Sequence, residues 1–181
     1  MYTAFSAGWN KVKLYFMLGQ PTETNDDVDG IMDLCEKIAE VYYETVPKEQ
    51  RKGKCQITAS SSFFVPKPFT PFQWAPMCEA HTFLDKAKRV NDKLKTLLNR
   101  KSIRYNWHES DISVLEGLLA RGDRRLSKLI LAVYEKGGIY DAWSECFEKE
   151  LWDEAIAKII LMLIFMLQER ETMTKSSLGT L

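Results

Sequence analysis

The stretch Lys11–Thr24, KVKLYFMLGQPTET, constrains the fold most. Val12 to Leu18 is a nearly unbroken apolar run, and Gly19 and Pro21 close it before a polar, acidic segment begins. An apolar run of this length, stopped by Gly and Pro, reads as a strand buried on both faces. The polar residues after it then sit at the strand's C-terminal end, where parallel sheets and barrels bind their ligands. An ordinary strand, turn and helix cap has the same spacing, so only the fold-level rule points to a site here.

The residues on either side extend the pattern. Met1–Asn10 reads as the tail of a helix entering the strand through Gly8. Thr24 is a good N-cap, and Asp26 and Asp27 lie in the first turn, where the helix dipole favours acids. Val28, Ile31, Leu34, Cys35, Ile38 and Val41 recur at helical spacing and define one buried face. Pro47 and the charged run Lys48–Lys54 end that helix. Gln56–Val65 is a second strand, which makes a parallel crossover unit of the right-handed kind. Its middle, Thr58–Ser62, consists of small residues, which admit a ligand, another backbone or a tightly packed barrel layer.

Phe63–Pro76 alternates four prolines (Pro66, Pro68, Pro71 and Pro76) with aromatics. Proline fixes φ and removes a donor, so this is a stiff extended loop and neither a central strand nor a helix. A rigid aromatic loop at that end of a parallel sheet makes a wall for a flat ligand or a cover for the core. Glu79–Asn99 is a second amphipathic helix. Phe83, Leu84, Ala87, Val90, Leu94, Leu97 and Leu98 form its apolar side, and Lys86, Lys88, Arg89, Lys93 and Lys95 its solvated one. Ser102–Trp107 alternates as a short, half-exposed strand. Ser110 or Asp111 caps a helix to Ala120, and Arg121, Arg124 and Arg125 cluster around Gly122. Clustered Arg grips carboxylates or phosphates, or pairs with surface acids. Two more helices are expected, Leu126–Lys136 and Asp141–Glu150. Ile159–Leu167 is apolar all round but far shorter than the roughly 20 residues of a membrane span.

Composition sets the class. The chain has 181 residues, 45% of them hydrophobic, which suits one globular domain with a sizeable core. Lys and Arg total 25 and so do Asp and Glu, a balance that gives no hint of nucleic acid or an anionic membrane. Cys35, Cys55, Cys78 and Cys146 form no cluster motif, and nothing at the start looks like a signal peptide. These features read as a cytosolic chain with free thiols. Cys78 and His81 have metal-like spacing, but two ligands do not make a site. His81 and His108 are the only histidines, and neither stands by a nucleophile motif, so a hydrolase has little support.

Taken together, KLYFMLGQPTET, SSFFVPKPFTPFQW, the helix ending in ARGDRR and the GGIYDAW segment resemble the C-terminal half of radical S-adenosylmethionine proteins. The resemblance runs from about Trp9 to about Trp152, and the similar group is a cobalamin-binding-type subfamily of unassigned substrate. It implies an α/β fold, the last core strands and helices of a partial parallel (β/α) barrel, followed by a mainly helical C-terminal region. Residues 1–100 would be barrel, 101–157 a helical extension and 158–181 a non-native tail. The implied cofactors are S-adenosylmethionine and a [4Fe–4S] cluster, with cobalamin left open. On the nucleoside side the resemblance places Gly19, Pro21, Glu23, Val65 and Pro66, and on the substrate side Phe69, Phe72 and Trp74, with Arg121 and Arg124 as further candidates. Gln20 departs from an apolar family position.

The resemblance also marks what this chain lacks, namely CxxxCxxC, a cobalamin domain and early strands. Without three thiolates the cluster cannot be held. The expectation is therefore a fragment that is not catalytic alone; the alternative is a non-catalytic binding or scaffold module paired with a cluster-bearing partner. Read two bases out of frame, the back-translated DNA from Lys158 onward yields a family-like FYA…LPWD motif, so a frameshift is expected there. Strands cut from a barrel leave unpaired edges, and self-association is expected through them.

Overall fold

In the computed structural model, which describes residues 1–160, a short helix, α1 (Tyr2–Ser6), leads into strand β1 (Lys11–Leu18). Helix α2 (Asn25–Thr45) follows, then β2 (Gln56–Phe63), α3 (Ala80–Thr96), β3 (Ile103–Trp107) and α4 (Ser110–Arg121). The chain divides into two units, Met1–Arg121 and the residues from Gly122 onward. The first unit is α/β, with three parallel strands in the order β1-β2-β3. Parallel crossovers of one hand, taken in unbroken order, place α2 and α3 on the same face of the sheet.

Strand alternation sorts the two faces. Ile57, Ala59, Ser61 and Phe63 of β2 are buried, as are Ile103 and Tyr105 of β3. Val12, Leu14 and Phe16 of β1 pack against the same core. Phe63 stacks on Phe83 of α3 with ring centroids 4.6 Å apart. Burying these side chains contributes about 1.5–3 kcal/mol for each large apolar one. Within the first unit the other face is uncovered. The strand register sets its rows: Lys13, Thr58 and Arg104, then Tyr15, Ser60 and Asn106, then Met17 and Ser62. Tyr15 is 77% exposed. β1 is thus an edge strand with one open face, not a strand buried on both.

Local chemistry sets the helix limits. Thr24 caps α2 in a capping box: its hydroxyl accepts from the Asp27 N–H, and the Asp27 carboxylate accepts from the Thr24 N–H at 2.8 Å. The basic side of α3 is only partly solvated. Arg89 donates two bonds of 2.7 Å to Asp29 of α2, and Lys93 lies 3.0 Å from Asp33. Past the end of α3, Asn99 donates from its backbone and side chain to Glu36 of α2. Lys86, Arg89 and Lys93, expected on a solvated face, therefore face acidic partners. Leu98, expected on the apolar side, lies beyond the end of α3 and is exposed, because the helix stops at Thr96.

In the second unit, α5 (Leu126–Glu135) buries Leu129 and Val133. The helix expected over Asp141–Glu150 is absent. Gly137 and Tyr140 take positive φ, and Trp143 and Cys146 donate three residues back to Tyr140 and Trp143, which makes successive turns. Helix resumes over residues 149–160. Most of the expected apolar run and the frameshifted tail lie outside the described residues. Among the described residues, no helix is long and apolar enough to cross a membrane.

Candidate functional site

The loop after β1 is held in a shape few sequences permit. Gly19 has φ +83°, and a Cβ there would lie 2.3 Å from a ring carbon of Phe83. Only glycine meets both demands. Three residues on, Thr22 has φ +67°, a left-handed conformation that is a true outlier for a β-branched side chain. Such strain costs on the order of 1–3 kcal/mol and concentrates where a binding loop is fixed.

Glu23 holds that shape from inside. One carboxylate oxygen accepts from the Gly19 N–H at 2.9 Å, and the other lies 2.7 Å from Lys86 Nζ of α3. The Glu23 side chain is 9% exposed and that of Lys86 19%. The contact between them is ionic, without hydrogen-bond alignment. The Glu23 side chain is thus largely withdrawn from solvent, while Gln20 and Thr22 are exposed and Pro21 is half-buried between them. These border an open cleft of about 480 Å³, lined also by Tyr15 to Met17, by Glu23, and by Asp27, Val28 and Ile31 of α2.

The second strand ends beside the first: the Phe64 N–H donates to the Leu18 carbonyl at 2.8 Å. Val65 and Pro66 follow directly. Pro66 is fully buried, and Val65 approaches Gly117 of α4, a glycine whose Cβ would meet the Met77 sulfur. The proline-rich loop then folds on itself. Thr70 donates to the Lys67 carbonyl, the Phe69 N–H donates to Gln73, and Lys67 pairs with Glu116 of α4. Phe72 meets the buried ring of Phe64 edge-on at 6.0 Å. Phe69, at φ +61°, is 98% exposed, and Trp74 is 83% exposed. Two aromatic rings thus stand in water on a loop held by its own hydrogen bonds.

The structure gathers Gly19, Pro21 and Glu23 in one loop and sets Val65 and Pro66 at the neighbouring strand end. Arg121 reaches the far end of the aromatic loop, where Nη1 donates to the Ala75 carbonyl at 3.5 Å. Arg124 belongs to the second unit. There Asp123 accepts from the backbone and side chain of Arg125, bonds that hold its carboxyl below the usual range. Lys86, expected on a solvated face, instead stands against Glu23. The paired thiol and imidazole do not converge: Cys78 points at the Gly19 carbonyl, and His81 lies against Glu79 and Thr82.

No family model matches the chain, and no solved structure matches it. An uncharacterised protein of Methanocaldococcus jannaschii is 30% identical over 159 aligned residues, which take in 82% of this chain and 32% of the relative. The chain therefore spans about a third of that relative's length.

Proposed function

We propose that this chain forms late strands of a radical S-adenosylmethionine (β/α) barrel and carries part of its nucleoside and substrate side. The observation that carries this reading is the one-sided sheet. Parallel strands run in unbroken order with helices on one face and a polar, uncovered face on the other, which suits a segment of barrel wall. The braced Gly19–Glu23 loop stands at the strand ends, where such barrels bind. Backbone groups of Gln20 to Thr22 and of Val65 would meet the nucleoside, and Phe69 and Trp74 would stack on the substrate. Glu23 acts by positioning that backbone.

The residues present do not fit a [4Fe–4S] cluster. Cys35 and Cys55 are fully buried, Cys146 belongs to the other unit, and among the described residues no three His, Cys, Asp or Glu converge. The chain alone then binds and orients but performs no reductive step, and it binds the nucleoside weakly. The test is the DNA of the locus, read upstream of Met1 and through the codon for Lys158. Codons for CxxxCxxC upstream, and for FYA and LPWD in a shifted downstream frame, are the expected result. A locus with neither overturns the reading.

A further inference from the structure

Charge on the first unit is sorted. The ten residues on the uncovered sheet face include Lys11, Lys13 and Arg104 and not one acid. All three cations are exposed. On α3, by contrast, Lys86, Arg89 and Lys93 all meet carboxylates. In a chain of zero net charge, the acids have gone to the helices and left this face basic.

The face is also graded. Lys13 and Arg104 flank Thr58 in one row, two strand spacings apart, which is about 10 Å. Hydroxyls of Ser60 and Ser62 fill the middle, and Tyr15 and Met17 give an apolar patch toward the strand ends. A uniform polyanion fits the gradient badly, because beside Met17 it would meet exposed Asp27, which lines the same cleft as Tyr15 and Met17. A polypeptide with carboxylates at one end and apolar side chains at the other matches it throughout.

We propose that this open face docks an amphipathic acidic polypeptide segment, with its carboxylates against Lys13 and Arg104 and its apolar side chains over Tyr15 and Met17. The barrel reading enters only as the source of that segment: the remainder of a protein of the relative's length, about two-thirds of which lies outside the match.

The test titrates the whole chain with a random copolymer of glutamate and tyrosine at about 50 mM salt, where surface charge is only partly screened. Amide exchange maps the contact. Binding is expected to protect residues 11–17, 56–62 and 103–107. Lys13→Glu with Arg104→Glu weakens it about tenfold or more, while Lys88→Glu with Lys128→Glu changes it by less than about twofold. The milder Lys13→Gln with Arg104→Gln weakens it less, and it serves if charge reversal disturbs folding. Equal loss in the reversed pair and the control pair, or protection elsewhere, overturns the docking face. So does poly(U) RNA binding as tightly on the same residues, which would make this a nucleic-acid surface. A locus without radical-enzyme remnants removes the proposed source yet leaves copolymer binding intact, so the two failures are told apart.

Discussion

Gly19 and Thr22 sit in one loop with opposite needs. Gly19→Ala drives a Cβ into Phe83 and loads a left-handed position, so it is expected to destabilise by about 2–4 kcal/mol in denaturant titration. Thr22→Gly relieves strain in the same loop and is expected to stabilise by about 1 kcal/mol. If the strain serves binding, that gain comes with a loss of ligand affinity. The cysteines sort by burial. Burial pushes the Cys35 thiol up to about 11 and also raises that of Cys55. Under native conditions at about pH 8, iodoacetamide is expected to label exposed Cys146 first and to spare Cys35 and Cys55 until the chain unfolds. Mass spectrometry of timed samples reads this directly.

At the scale of elements, the seam between α2 and α3 is electrostatic where both helices meet the sheet through apolar contacts. The hydrogen bond from Arg89 holds the Asp29 carboxyl below its ordinary value of 3.8. A depressed folded value contributes stability above the unfolded one, and that contribution is lost as pH falls through the folded value. Unfolding free energy is therefore expected to drop below about pH 4, and more gently in Asp29→Asn, by denaturant titration at stepped pH. The seam also shows what the sequence conceals. The Thr24 cap was legible because its partner Asp27 is three residues away. Arg89 and Asp29 are 60 positions apart, and no local period announces that they meet. The open face of β1 was hidden differently. Tyr15 and Met17 are apolar letters on the exposed parity, so the run looked buried throughout, and only Lys11 and Lys13 betrayed the alternation. The helix expected over Asp141–Glu150 had a helical composition, but successive turns follow Tyr140, at φ +62°, and helix begins only at residue 149.

For the molecule as a whole, the sheet has two outer strands without neighbours among the described residues, β1 on one side and β3 on the other. Eight residues of β1 present one unpaired edge, guarded only by Lys11 and Lys13. Light scattering is expected to find dimers or larger species, and a monomer at high concentration would show that those lysines suffice. The site divided in the same way between what was legible and what was not. The Gly19–Glu23 loop was visible as a motif, but the inward turn of Glu23 depends on Lys86, which arrives only with the third dimension.

The parallel register has a consequence in time. Every rung of this sheet joins residues about 45 positions apart, so no strand contact is local. Two long loops must close before either pairing returns free energy, whereas α2 and α3 can coil and uncoil within microseconds. While it searches, β1 stands apolar and unmatched, open to the same strand of another molecule. Concentration should therefore govern the yield of refolding more than the stability of what has refolded: dilute chains recover, and crowded ones lose material along the way.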